Sequence, residues 1–276
     1  MRDSIGEVHE QPAAPNPFDA YPPAAIARLV ETAGVRKANL PLLPTVTLGL
    51  LAGAFISFGA LFYTVVTTGN TLGFGPGRLL GGLAFSLGLI LVIVAGAELF
   101  TGNNLIVMAW AEGKVSTRQL LRNWTLVYCA NFAGAVATAL VVWLSGVLEL
   151  DGGRVGASAL QIAQSKVALA PLPAFFRGIL CNALVCLAVW MCFAAHGVTD
   201  KVLAIVFPIA GFVALGFEHS IANMYFIPLA MFAGAPGVDL AGLLSNLLPV
   251  TLGNIVGGGG GVALVYWIVY LRPARD

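Results

Sequence analysis

Long apolar runs separated by short polar segments dominate the hydropathy pattern of this chain. A membrane-spanning helix needs about 20 mostly apolar residues. Runs of this kind predict six spans, near residues 44–66, 79–111, 122–147, 173–195, 202–234 and 241–271. We therefore expect an all-α membrane protein with six transmembrane helices.

A short amphipathic segment precedes the first span, at about residues 24–36. Ile26, Leu29 and Val30 share one helical face, whereas Arg28 and Glu31 lie off it. A helix with this pattern lies in the membrane interface. The predicted divisions are a disordered Pro-rich tail (1–24), an amphipathic interfacial helix (25–42) and a six-helix transmembrane domain (43–272).

The second and fifth spans are longer than a membrane requires. As one helix, the run 79–111 would measure about 50 Å, against a hydrocarbon core of about 30 Å. Glu98 interrupts this run, and Glu218, His219 and Ser220 interrupt the fifth span. We expect each of these helices to break at mid-depth and to continue as a short second helix.

The two breaks occupy corresponding positions if the chain consists of two halves of three spans. An odd number of spans per half makes the second half enter the membrane from the opposite side, as an inverted repeat. Interrupted segments in corresponding positions of such halves point to a transport site. Backbone N–H groups freed at a break need acceptors. We expect Glu98 and Glu218 to supply them, in a structural role rather than a catalytic one.

Lysine and arginine are distributed unevenly between the two sides of the membrane. With the N-terminus inside, the outer segments hold Arg78, Arg154, Lys166 and Arg177. The inner segments hold the other ten: Arg2, Arg28, Arg36, Lys37, Lys114, Arg118, Arg122, Lys201, Arg272 and Arg275. The positive-inside rule then predicts that both termini are cytoplasmic, in the cell inner (plasma) membrane.

Composition agrees with a bilayer protein and narrows the possible chemistry. Hydrophobic residues make up 58% of the chain and charged residues 10%, against roughly 25% charged residues in soluble domains. A net charge of +1 gives no global field to recruit nucleic acid. The four cysteines lie in apolar segments and are expected to be buried as small hydrophobes. We expect no cofactor and no metal site.

His219 is the only histidine that the pattern places at membrane depth. Ionisable side chains there usually face a cavity and mark a substrate or proton path, and histidine can exchange a proton near neutral pH. A small anion cannot shed its water in an apolar passage without compensation. A proton moved onto the anion, or a positive group beside it, would supply that compensation. Thr101 and Asn182 offer neutral hydrogen bonds at a similar depth.

Four segments together resemble the signature regions of the formate–nitrite transporter family: GAELFTGN (96–103), GILCNALVCLAVW (178–190), GFEHSIANMYFIP (216–228) and NLLPVTLGNIVGG (246–258). The resemblance covers about residues 25–271. It implies an aquaporin-like fold of six spans, with a homopentamer that has one pore in each protomer. It also implies passage of small monovalent anions or their conjugate acids, such as formate, nitrite or hydrosulfide.

The resemblance assigns roles residue by residue. It implies a central pore histidine at His219, a hydrogen-bonding asparagine at Asn182 and a mobile-loop threonine at Thr101. The outer constriction would contain Phe100, Val185 and Phe212, and the inner one Phe85 and Leu89. Lys37 and Lys166 resemble two lysines thought to draw anions into the vestibules.

The chain lacks the sequence patterns that would indicate other functional classes. An aquaporin would show two Asn-Pro-Ala boxes, a membrane haem protein would need facing histidines at depth, and an enzyme would need a nucleophile–base pair or a metal cluster. The chain has none of these patterns. Within transport, formate is the leading substrate, while nitrite or hydrosulfide passage and proton–anion symport remain open alternatives.

Overall fold

The computed structural model describes residues 19–272 and begins with the expected amphipathic helix. This helix, α1, spans Pro23–Ala38 and buries Ile26 and Val30 on one face. The buried face packs on the membrane body, mainly against the segment around Gly102–Ile106. The predicted disordered tail lies mostly outside the described residues.

The described residues form helices, turns and loops without a strand, so the all-α expectation is confirmed. After α1 come α2 (Leu42–Thr67), α3 (Phe74–Ile90, extended by a π-helix over Leu91–Gly96), a 3-10 helix (Gly102–Ile106), α4 (Val107–Ala111), α5 (Thr117–Leu144), a 3-10 turn (Val147–Glu149), α6 (Arg154–Val167), α7 (Pro171–Ala194), α8 (Val198–Ala214), α9 (Ser220–Phe232), α10 (Leu240–Ile255, extended by a π-helix over Val256–Leu264) and α11 (Val265–Tyr270).

Within residues 19–272, five continuous helical stretches are long and apolar enough to cross a membrane. They are Leu42–Thr67, Phe74–Gly96, Thr117–Leu144, Pro171–Ala194 and Leu240–Tyr270. The region predicted as a fifth span consists instead of α8 and α9, neither of which has this length alone. A count of six spans therefore stays a prediction.

Glycine allows the long helices to approach closely in pairs. The most extensive helix contacts join α2 to α5 and α7 to α10. A Cβ added at Gly53 on α2 would collide with the backbone of Asn131 on α5, and one added at Gly253 on α10 would collide with that of Phe175 on α7. Small residues at such crossings are a general feature of helix packing in membranes.

The chain leaves helical geometry at two similar points. Gly96 is the last residue of the π-helix that extends α3 and has a φ of 90°, and Gly216 follows α8 with a φ of 73°. Glycine adopts this left-handed region without the steric penalty of a Cβ. Two residues after each glycine comes a glutamate, Glu98 or Glu218. The two polar interruptions read from the sequence are thus non-helical segments, with similar turns leading into them.

Candidate functional site

A contact between the two non-helical segments forms the centre of the candidate site. Thr101 Oγ1 lies 3.1 Å from His219 Nε2. The residues are 118 positions apart in the chain, and both are buried. The structure therefore brings together the histidine and the threonine that the sequence had singled out separately.

Local hydrogen bonding defines the tautomer of the His219 ring. His219 is the N-cap of α9, and its Nδ1 accepts a hydrogen bond of 3.2 Å from the backbone N–H of Ala222. Because Nδ1 accepts in this arrangement, a neutral ring carries its proton on Nε2. That N–H then donates to Thr101 Oγ1. The ring also stacks on Phe212, with centroids 5.9 Å apart.

A network of one lysine, one glutamate and two asparagines holds the segment before α9. Lys166 Nζ lies 3.1 Å from both carboxylate oxygens of Glu218. Asn223 Nδ2 donates to Glu218 Oε2 and to Asn246 Oδ1, both at 2.7 Å. Asn246 Nδ2 in turn donates to the backbone oxygen of Lys166 at 2.9 Å, which closes the ring of contacts.

The segment after α3 is held by a network of the same composition. Lys37 Nζ donates to Glu98 Oε1 at 2.7 Å. Asn103 Nδ2 donates to Glu98 Oε2 at 2.7 Å and to Asn123 Oδ1 at 3.0 Å. Asn123 Nδ2 donates to the backbone oxygen of Lys37 at 3.0 Å. Each step reproduces the contact made at the corresponding residue around Glu218.

Two further asparagines satisfy the backbone groups that the breaks release. The N–H of Phe100 donates to Asn131 Oδ1 at 2.9 Å, and the N–H of Ser220 donates to Asn254 Oδ1 at 3.0 Å. The prediction that Glu98 and Glu218 would accept from the freed amides was wrong. Both carboxylates bind lysine and asparagine side chains instead, because an ammonium group compensates a buried carboxylate better than a neutral amide does.

The sequence carried a signal for these asparagines that hydropathy alone did not reveal. Asn103 and Asn223 each follow the glutamate of their break by five positions, and Asn131 and Asn254 each follow another asparagine by eight. A repeat of polar spacing inside otherwise apolar helices would have identified the set Asn103, Asn123, Asn131, Asn223, Asn246 and Asn254.

A cavity of about 400 Å³ opens beside His219. Lys166, Glu218, Phe85 and Phe212 line it together with the histidine. The rings of Phe85 and Phe212 meet edge to face, with centroids 5.6 Å apart. We name the cavity beside His219 the Lys166 cavity. A ligand in it would contact both the charged network and the aromatic wall around the imidazole.

Lys37 borders a second cavity, of about 540 Å³, whose wall also contains Glu98. Lys37 also lines an adjoining recess of about 90 Å³, whose wall includes Leu89 and Gly102. We refer to the two spaces together as the Lys37 cavity. Phe85, at the Lys166 cavity, and Leu89, at the Lys37 cavity, are separated by one turn of α3, or about 6 Å along the helix. The two cavities therefore come within about one helical turn of each other.

The structure changes the predicted grouping of the constriction residues. Phe85 was expected beside Leu89, but it lies against Phe212 on the Lys166 cavity. The Phe100 ring packs on Trp124 and Tyr128, with centroids 6.0 and 4.9 Å away. Val185 is also buried, and neither it nor Phe100 borders the two cavities.

Asn182 has its donors occupied. Its Nδ2 donates to the backbone oxygen of Thr101 at 3.2 Å and to that of Asn254 at 2.7 Å. In this conformation the side chain ties the Thr101 segment to α10, and its two N–H groups are not free for a ligand. Across residues 19–272, no three His, Cys, Asp or Glu side chains are placed to hold a metal ion.

Comparison with known proteins identifies close similarity to one family. The formate/nitrite transporter model matches residues 24–268. The formate channel FocA of Escherichia coli (strain K12) is 45% identical, over 94% of this chain and 98% of that protein. A probable formate transporter of Methanothermobacter thermautotrophicus is 41% identical, over 91% and 97% of the two chains.

Solved structures give the same relationship. A pentameric formate channel with formate bound is 44% identical and superposes with a TM-score of 0.78, over 84% of this chain and 98% of that one. An ion channel of the same family is 32% identical, with a TM-score of 0.81 over 89% and 98% of the two chains.

Proposed function

Because the chain belongs to the formate/nitrite transporter family, we propose that it is a membrane channel for formate, with proton-linked passage past His219. The observation that carries this proposal is the Thr101–His219 contact at 3.1 Å, between two cavities that approach from opposite ends of one turn of α3. The similarity to formate channels supports the choice of substrate among small monovalent anions.

The buried segment between the cavities sets the problem that the channel solves. An anion there loses its hydration shell, and isolated charge in a medium of low dielectric constant is costly. Formic acid is neutral and crosses such a segment at a much lower cost. The role proposed for His219 is to give a proton to formate in the Lys166 cavity, so that the uncharged acid passes toward Leu89.

The proton can be followed through one cycle. A hydronium ion in the Lys166 cavity gives its proton to Nδ1, which leaves a water molecule and an imidazolium cation. This protonation breaks the hydrogen bond from the Ala222 amide, and the negative charge of formate offsets the charge of the buried cation. The proton then leaves on formate, the ring returns to the neutral tautomer, and Thr101 Oγ1 again accepts from Nε2. In the Lys37 cavity the acid releases its proton to water.

The surrounding side chains have distinct roles in this proposal. Phe85 and Phe212 form the constriction on the Lys166 side, and Leu89 forms the one on the Lys37 side. Lys166 and Lys37 hold the two breaks in place through Glu218 and Glu98, and each ammonium group attracts an anion at short range once it is inside the cavity. Asn182 positions the Thr101 segment. A movement of that segment would free the Asn182 N–H groups to bind a ligand.

The proposed architecture is an aquaporin-like inverted repeat of three plus three spans, with broken second and fifth helices. The matched networks around Glu98 and Glu218 support it, since corresponding contacts recur with the same residue types. We also propose a homopentamer, supported by the similarity to a pentameric relative, in the inner membrane with both termini cytoplasmic. Its role is passage of an ion and not catalysis.

Flux into proteoliposomes tests the proposal. Purified protein reconstituted in liposomes should carry isotopically labelled formate faster than protein-free liposomes, and flux should rise as the external pH falls. An imposed proton gradient should accumulate formate above equilibrium, because each formate crosses with one proton; equilibration alone would mean that formate crosses as the anion. Nitrite and hydrosulfide measured in parallel rank the family's substrates. No protein-dependent formate flux at any pH would refute the proposal.

A further inference from the structure

The lysine that the sequence assigned to anion attraction is neutralised in its cavity. Lys166 pairs with Glu218, and the side chains of both residues are largely buried, at 14% and 7% exposed. Seen from the water-filled mouth, such a pair presents a dipole and not a full positive charge. Long-range attraction of an anion to this cavity therefore requires other cations.

Two arginines in the cavity wall provide that charge. The wall contains Arg78, Lys166 and Arg177 with the single carboxylate Glu218, which leaves a formal charge of +2. Arg78 is half-buried and donates from Nε to the carbonyl of Ala214 at 2.8 Å and from Nη2 to that of Val213 at 2.7 Å. These bonds fix the guanidinium while leaving its charge uncompensated by any carboxylate among residues 19–272.

Arg177 is exposed and has no hydrogen-bond or ion-pair partner for its guanidinium within residues 19–272. Its backbone nevertheless lies at the break before α9, because its carbonyl oxygen accepts the N–H of Glu218 at 3.3 Å. The Arg177 backbone is thus hydrogen-bonded to the residue that precedes His219, and its side chain lines the same cavity. Its guanidinium, which has no partner among the described residues, is available to an anion that enters this cavity.

We propose that Arg177, together with Arg78, forms a capture site in the Lys166 cavity that selects anions with two oxygens, such as formate and nitrite, over anions with a single acceptor atom, such as hydrosulfide. The inference rests on the proposed channel function and adds a basis for substrate preference. A guanidinium presents parallel N–H groups that match two oxygens of one anion, whereas an ammonium acts as a point charge. Charge attracts both classes of anion, and only the planar fork distinguishes between them.

Two substitutions separate charge from geometry. Arg177→Gln removes both the charge and the planar fork. It should lower hydrosulfide uptake by about twofold at low ionic strength, which is the effect of one charge at about 8 Å in water, and it should lower formate and nitrite uptake by more. The reduction of hydrosulfide uptake should vanish in high salt. Arg177→Lys keeps the charge and should restore hydrosulfide uptake, while formate and nitrite uptake stay about two- to threefold below wild type, as for a weak exposed pair.

Initial uptake rates in proteoliposomes test the site, with protein-free liposomes subtracted and pentamer formation checked by gel filtration. Arg154→Gln is the matched control, because Arg154 is also an exposed arginine on the same α6 that carries Lys166, but it pairs with Asp151 and lies outside the cavity wall. The control should transport all three anions at the wild-type rate.

Each result has one reading. If the wild-type protein carries formate and Arg177→Gln takes up all three anions at the wild-type rate, the capture site is overturned and the channel function still stands. Formate uptake in Arg177→Lys equal to wild type would overturn the selection of two-oxygen anions. Absence of formate flux in the wild-type protein would instead refute the proposed function.

Discussion

Asn131 and Asn254 hold the two breaks of the chain in the same way. Each side-chain oxygen accepts the N–H of the residue two positions after a glutamate, and each amide group donates to the backbone oxygen of that glutamate. Each amide also donates to a carbonyl on a neighbouring helix, that of Gly49 or Gly178. One side chain thereby satisfies two backbone groups of the interrupted segment and also ties that segment to a neighbouring helix.

Replacing Asn254 by alanine should destabilise the protein substantially. The change removes the partners of the Ser220 N–H and the Glu218 carbonyl, and each unpaired buried group costs about 1–3 kcal/mol. We expect a loss of about 3 kcal/mol or more and a lower midpoint in thermal unfolding of the detergent-solubilised oligomer. Asn131→Ala should have a similar effect. A wild-type midpoint in both variants would mean that water or neighbouring groups replace the amide.

The ion pair between Lys166 and Glu218 should show strong coupling in a double-mutant cycle. Lys166→Gln alone leaves a buried carboxylate without its cation, a change that costs about 3–5 kcal/mol in buried pairs. Combining it with Glu218→Gln removes both charges and should recover most of the stability. The yield and thermal midpoint of the oligomer measure the effect. Additive losses would show that the two side chains act independently.

His219→Asn should preserve the oligomer and change the pH dependence of formate flux. Asparagine is among the best N-cap residues, so its side-chain oxygen can replace Nδ1 as acceptor for the Ala222 amide. It has no titratable proton, so any step that requires proton transfer from this position is lost. Flux is measured across a pH series in proteoliposomes. A pH profile identical to that of the wild type would exclude His219 from the proton-linked step.

Phe85 and Phe212 should limit the size of the passing molecule, whereas Phe100 should not. The first two rings line the Lys166 cavity, while the Phe100 ring packs on Trp124 and Tyr128. Phe212→Ala should therefore raise acetate uptake relative to formate uptake severalfold, and so should Phe85→Ala. Phe100→Ala is the matched control, expected to lower stability by about 3–5 kcal/mol without changing the ratio. A raised ratio in Phe100→Ala only would place the constriction at Phe100.

The amino-acid sequence by itself determined the helical class, the approximate positions of five long apolar helices and the two polar interruptions, and it singled out His219. All of these follow from one contrast: polar residues inside long apolar runs are costly in a bilayer and must have a purpose. The residues Glu98, Thr101, Glu218 and His219 were found for that reason. The side of the membrane on which the lysines lie was likewise predicted from charge alone.

Only the tertiary structure decided which side chains meet. Thr101 and His219 are far apart in the chain, and no local pattern predicts their contact. The ring neighbours of Phe85 and Phe100 were not predictable for a related reason. In a bilayer, lipid, protein interior and an apolar passage all accept phenylalanine, so the hydropathy of a helix does not identify the face that borders a cavity. The same ambiguity hid the asparagines, whose partners are backbone groups that become available only after distant helices pack.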